Sequence, residues 1–381
     1  MGAGHDGAAD ELAERMRHRG FAVHQHDFIE LLPASLGYHV RRVYASQLRL
    51  APGSWSWLMR VTGRRTLAGA VGALTTLAAG SSLLRAIASS PAVVVSTHHL
   101  VSQVLGRLRS GGRLAAPAVT FLTDMSVHRL WVSEGVDVHL AIGPSAMAQA
   151  RALKAGMVYA CAPAVSAMFR PVRCAAERRR AREYFGLPAN SPIALIVAGS
   201  WGAGDVVRTA RDIAESGLAV PVVACGRNER LRRRIARAGT GQALGWVDEM
   251  ADLLRACEVV VQNAGGLTSL QSLATGVPML TYRPIPGHGL ANAAALDRAG
   301  LAPWVHDRVQ LQAALRRALD GSKREPRLVR AWPATDPAAL VEAVAMRWAT
   351  TTGEMSRIHD RRPISTRGNP TAQPLPEEVP M

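Results

Sequence analysis

The chain alternates short apolar runs with longer segments whose apolar positions recur every three or four residues. That is the pattern of strands followed by helices in a parallel α/β sheet. In the first half the strand runs are AVVVST (92–97), AVTFLTD (118–124) and VHLAIG (138–143). In the second half they are IALIVAG (193–199), VPVVACG (220–226), EVVVQNAG (258–265) and VPMLTY (277–282). One polar segment, FRPVRCAAERRRAREYFGLPANSP, parts the two series, so the pattern predicts two doubly wound domains, 1–170 and 171–350. The arginines of that segment read as a solvated helix face. Near the end, DPAALVEAVAMRWA (336–349) has helical spacing behind Asp336 as N-cap and closes the fold. Residues 351–381 are polar and proline-rich and read as a disordered tail.

Residues 48–90 break the pattern of the first domain. From Leu67 to Leu84 there is no charge, but Gly, Ala, Ser and Thr make up most of the run, which is too weakly apolar to read as a membrane span. Trp55 and Trp57 beside Arg60, Arg64 and Arg65 suit an amphipathic insertion lying on an anionic bilayer surface. A helix pair packed on its own domain reads equally well.

Composition changes this picture little. The net charge of +16 points to a polyanionic partner, yet Lys154 and Lys323 are the only lysines in an Ala- and Gly-rich chain, so coding bias toward arginine explains much of it. With 5% aromatic residues and no zinc-finger or ribonucleoprotein motif, a nucleic-acid partner is not expected. Cys161, Cys174, Cys225 and Cys257 lie far apart without a C-x-x-C pair and read as buried thiols in a reducing compartment. No signal peptide precedes the first glycines, so the cytosolic side is expected.

The second half carries the clearer chemistry. GSWGAGD (Gly199 to Asp205) follows one strand, and GGLTSLQSLATGVP (Gly265 to Pro278) follows another. Each is a glycine turn opening a helix, where free N–H groups and the helix dipole favour an anion. Two such loops on one sheet edge can hold two phosphates. CGRNERL places Arg227 directly after a strand, and PIPGHGLANA places His288 in a Pro/Gly loop with Asn292 one turn into the next helix.

In this order the segments from about Pro192 to Trp304 resemble the donor-binding domain of the GT-B glycosyltransferases that include monogalactosyldiacylglycerol synthases, processive diacylglycerol glucosyltransferases and the lipid-II-forming N-acetylglucosaminyltransferase. The resemblance implies two Rossmann-like domains facing a cleft and inverting transfer from a UDP-sugar to a lipid hydroxyl such as that of diacylglycerol. It also implies work at the cytoplasmic membrane face with no bound metal or other cofactor. The absence of a D-x-D pair agrees with that. By the same likeness Ser200, Arg227 and Thr268 would contact the diphosphate, and Gly199, Gly266 and Leu267 would also line the donor site. Trp246 and Val247 would lie along uracil, Gln271 would face the ribose, and His288 and Asn292 would meet phosphate and sugar.

The opening GAGHDGAADEL resembles the family's acceptor-side glycine loop. There His5 would take the proton of the attacking hydroxyl, and Asp124, at a strand end, would orient the acceptor or the base. Asp6 is expected to cap the first helix, with Ala9, Leu12, Ala13 and Met16 as its buried face and Gly20 as its end. Two departures stand out. The family has an apolar strand ahead of this loop, so the expectation is that upstream codons encode a strand of about five to eight residues. The family pattern also has Glu where this chain has Gln271. Both departures suit a non-catalytic paralogue that binds nucleotide or lipid, and a UDP-sugar 2-epimerase shares the fold.

Overall fold

A computed structural model describes residues 3–33, 36–37, 39, 61–87, 90–320 and 332–353. Trp55, Trp57, Arg60 and the expected disordered tail beyond residue 353 lie outside them. All seven strand runs read from the sequence are strands. In the first domain β1 (Val94–Ser96), β2 (Ala118–Leu122), β3 (Val138–Ile142) and β4 (Met157–Cys161) form a parallel sheet in the order β1-β2-β3-β4. Helices α1 (Ala3–His18), α2 (Arg65–Ala86), α3 (His99–Ser110) and α4 (Gly143–Ala152) belong to this half.

The second domain holds β5 (Ile193–Val197), β6 (Val220–Ala224), β7 (Gln242–Leu244), β8 (Val259–Gln262), β9 (Met279–Tyr282) and β10 (Trp304–Val305). Their order is β10-β9-β8-β5-β6-β7, all parallel. Between them run α5 (Ala175–Tyr184), α6 (Val206–Ser216), α7 (Glu229–Ala238), α8 (Met250–Ala256), α9 (Leu267–Ala274), α10 (His288–Arg298) and α11 (Arg308–Leu319). The strand order reverses between β5 and β8, and ligands of open parallel sheets bind outside the carboxyl ends of the strands at such a point. The chain forms two Rossmann-like domains, as expected; the reversal that makes a sheet doubly wound is present in the second, whereas the four described strands of the first run in one direction. Strands β4, β7 and β10 escape the sequence pattern because they are short or, in β4, only partly buried.

The last helix, α12 (Pro337–Thr352), returns to the first domain. Ala338, Leu340, Val341 and Val344 pack with Leu12 and Met16 of α1 and Phe121 of β2. Arg15 of α1 and Arg19 just beyond it bind Asp336, and Arg19 also binds Glu342. The second domain's sequence range therefore ends in a helix that completes the first domain's core.

Several local expectations need correction. Helix α1 starts at Ala3, so the glycine stretch is its first turn and Asp6 lies inside it instead of capping it. Its buried face is Ala8, Leu12, Ala13 and Met16, with Ala9 partly exposed, and Gly20 ends it at φ +86°. Cys174 is exposed while the other three thiols are buried. Arg182, from the run expected to be solvated, is buried: it donates to the carbonyls of Ala256, Pro188 and Ala189 and pairs with Glu258 at 2.7 Å. Helix α2 buries Ala68, Gly72, Ala79, Gly80 and Leu83 and packs along α3, yet leaves Leu74 and Leu77 68% and 85% exposed. By length and composition it is apolar enough to cross a membrane.

The far edge of β1 pairs with no strand among the described residues. A cavity of about 530 Å³ lies there, lined by Val93, Val95, the segment from Phe21 to Asp27, and faces of α1 and α12.

Candidate active site

The site is built where the two domains meet. Gly4 and Gly7 of α1 approach Leu267 at the start of α9, close enough that a Cβ on Gly7 would stand 2.6 Å from its side chain. Opposite them, Asn292 of α10 reaches across to the loop after β2. Its Oδ1 accepts from the backbone N–H of Ser126 at 3.1 Å and from the Ser126 hydroxyl at 2.6 Å. Its Nδ2 donates to Asp124 Oδ1 and to the Ala264 carbonyl, both at 3.3 Å. Asn292 is fully buried and its amide is engaged on both sides, so it ties the domains together.

His5 sits in the first turn of α1. Its Nδ1 lies 2.8 Å from the Thr97 carbonyl at the end of β1, and the Thr123 hydroxyl lies 3.1 Å from the same nitrogen. A carbonyl only accepts, so Nδ1 carries the proton and Nε2 keeps its lone pair. Burial pushes the imidazole below its ordinary range, opposed by the negative charge of Asp124. His5 is therefore a neutral base at pH 7.

Around it stand rings that the sequence reading left out. His98 and His99 stack at 4.3 Å between centroids, His98 meets His5 edge-on at 4.9 Å, and Trp131 lies 5.7 Å from both His5 and His99. Burial holds His98 well below its usual range and brings His99 to about 3, with His5 adding to both effects. Their signal was available: two histidines directly after the apolar run AVVVST stand at the carboxyl end of a strand. His288, at the start of α10, is lowered by burial, which the negative charge of Asp124 opposes, as it does at His5.

Two glycine loops flank the β5/β8 switch point. Asn263, at the end of β8, donates to the Ala203 carbonyl of the first loop at 2.8 Å and so links the two. Gly265, at φ +79°, packs on Asn292, where a Cβ would come within 2.4 Å of the Asn292 Cβ. Gly266 precedes α9 and offers no side-chain cap, so the first N–H groups of the helix, those of Leu267 and Thr268, have no side-chain partner there, and a Cβ on Gly266 would stand 3.6 Å from Asp124 Oδ1. Gln271 lies one turn further along α9, partly buried. Gly199 and Ser200 form the first loop. Beyond them the exposed Arg227 guanidinium lies 4.4 Å over the Trp246 ring, with Val247 packed behind on the domain core.

Residues 5–158 match the monogalactosyldiacylglycerol (MGDG) synthase family model. The MGDG synthase match thus begins at His5 and runs through the first domain, the half that carries the histidine cluster and Asp124. The chain is also 26% identical over 235 residues to processive diacylglycerol beta-glucosyltransferases of Bacillus thuringiensis (strain Al Hakam) and Bacillus cereus (strain AH187), covering 58% of this chain. It spans 58% of the length of those relatives. Among solved structures, HepE of Anabaena in complex with UDP aligns over 74% of this chain and 82% of its own, at 11% identity and a TM-score of 0.47. The resemblance drawn from the sequence is therefore met again in both the MGDG synthase model and the diacylglycerol glucosyltransferases.

Proposed function

We propose that this chain is an inverting glycosyltransferase that moves a sugar from a UDP-sugar to the hydroxyl of a lipid acceptor such as diacylglycerol, working at the cytoplasmic face of a membrane. The observation that carries the reading is His5: a half-buried, neutral imidazole with its proton fixed on Nδ1, in the first turn of the helix whose Gly4 and Gly7 meet the start of α9 across the domain junction. The acceptor oxygen attacks the anomeric carbon, and its proton passes to His5 Nε2. The bond from that carbon to the phosphate oxygen breaks, and UDP leaves with the electron pair. Its charge is met by the N–H groups of Leu267 and Thr268 and by Arg227. Asp124 supports the imidazolium that forms, and the reading calls for no resident cofactor.

The exposed leucines of α2 supply the membrane contact, and the lipid relatives support the acceptor class. The test is thin-layer analysis of lipids after incubation with labelled UDP-glucose, UDP-galactose or UDP-N-acetylglucosamine. A labelled glycolipid that vanishes in His5→Gln supports the reading. Nucleotide binding without transfer from any of the three donors would favour the non-catalytic paralogue.

A further inference from the structure

One ring nitrogen from each of His5, His98 and His99 lies within 4.8 Å of the other two. We infer that these three imidazoles form a binding site for a divalent transition ion of the Zn²⁺ type, with His5 Nε2 as one ligand. Three imidazoles and one open position make a ligand set that Zn²⁺ accepts, tetrahedral with Zn–N of about 2.0–2.1 Å. Closing on an ion needs only a small contraction of the cluster, whose residues stand in the first turn of α1 (His5), at the N-cap of α3 (His98) and at its first position (His99).

The surroundings fit such an ion. His5 donates its other ring nitrogen to the Thr97 carbonyl, the outer partner that fixes a metal-binding histidine in its tautomer. His98 gives up only a long 3.3 Å bond from the Leu100 N–H when it turns its lone pair to the metal. Asp124, whose charge reaches His5, offsets the positive ends of α1 and α9. Coordination takes the lone pair that an acceptor hydroxyl would need, so the bound ion is an inhibitor. That second step rests on the proposed transfer reaction, whereas the binding site does not.

The experiment is titration of the full chain with Zn²⁺ against a chromophoric chelator, repeated with Co²⁺ for its visible absorption. One equivalent is expected to bind, and His99→Gln, which keeps a polar side chain of similar size, is expected to weaken binding by at least about tenfold. A His24→Ala/His26→Ala variant, changed at exposed histidines outside the cluster, is expected to bind as the unaltered chain does. Zn²⁺ should inhibit labelled transfer competitively with lipid acceptor, and EDTA should relieve it. No stoichiometric binding, or equal affinity in His99→Gln, overturns the site. Binding as expected with no transfer from any UDP-sugar would leave the site standing and overturn the proposed reaction instead.

Discussion

His5 and Arg227 show how much one side chain is asked to do. A positioned general base contributes about 10²–10⁴-fold to a proton transfer, so His5→Gln should lower labelled transfer by that factor while leaving UDP affinity within about twofold. A parallel loss of UDP binding would mean that the ring holds the donor instead. Arg227 lies on the Trp246 ring, and a diphosphate would draw it off. A hydrogen bond to a charged group is worth about 1.5–3 kcal/mol, so Arg227→Ala should weaken UDP binding by about tenfold or more in calorimetry. Uridine, which has no phosphate, should bind almost unchanged; equal losses for both would remove Arg227 from the diphosphate.

At the scale of elements, β3 and α2 each carry a residue set that runs against its place. His139 is fully buried in β3, and burial lowers it to about 4. The folded protein thus refuses a proton that the unfolded chain takes up near 6.5. Stability from this group is complete above pH 6.5 and is lost as pH falls toward 4, by roughly 3 kcal/mol at about 1.4 kcal/mol per unit. His139→Leu should therefore flatten the acid side of a urea-midpoint profile; an unchanged slope would assign acid sensitivity to other groups. In α2, Leu74 and Leu77 stand in solvent. Burying one leucine is worth about 1.5–3 kcal/mol, so Leu74→Ser/Leu77→Ser should lower pelleting with anionic liposomes at least about tenfold. Equal pelleting would move the membrane contact elsewhere.

The same elements show what the sequence made legible. Strands such as IALIV, wholly buried, are apolar runs with no competing period, and the glycine loops after β5 and β8 were read at their true places. Helix α1 was placed, but its start was set at Asp6 because a carboxylate after glycine imitates a cap, whereas the glycines themselves are helical from Ala3. His98 and His99 each read alone as ordinary loop histidines; only the approach of α1 to the end of β1 makes them neighbours of His5. Asn292 was expected at the sugar, and no local pattern could show that its amide is engaged by Ser126, Asp124 and Ala264.

For the whole molecule, the junction between domains depends on that amide. Removing it in Asn292→Ala strands buried partners on both domains, which costs about 1–3 kcal/mol for an unsatisfied group. The denaturation midpoint should fall accordingly, and small-angle scattering should record a wider particle. An unaltered midpoint would show the domains held by other contacts.

Helix α12 adds an order in time. Its Val341 and Val344 complete the apolar layer over α1 and β2, yet they are synthesised after every described strand of both sheets. A ribosome that has just released β10 holds a finished second sheet and a first domain whose hydrophobic face is still bare. The first half of the chain, although made first, is the last to become self-sufficient. Until the final helix emerges it is a client for whatever in the cell shields apolar surface, and a nascent chain halted before residue 337 should be the form that trigger-type chaperones hold longest.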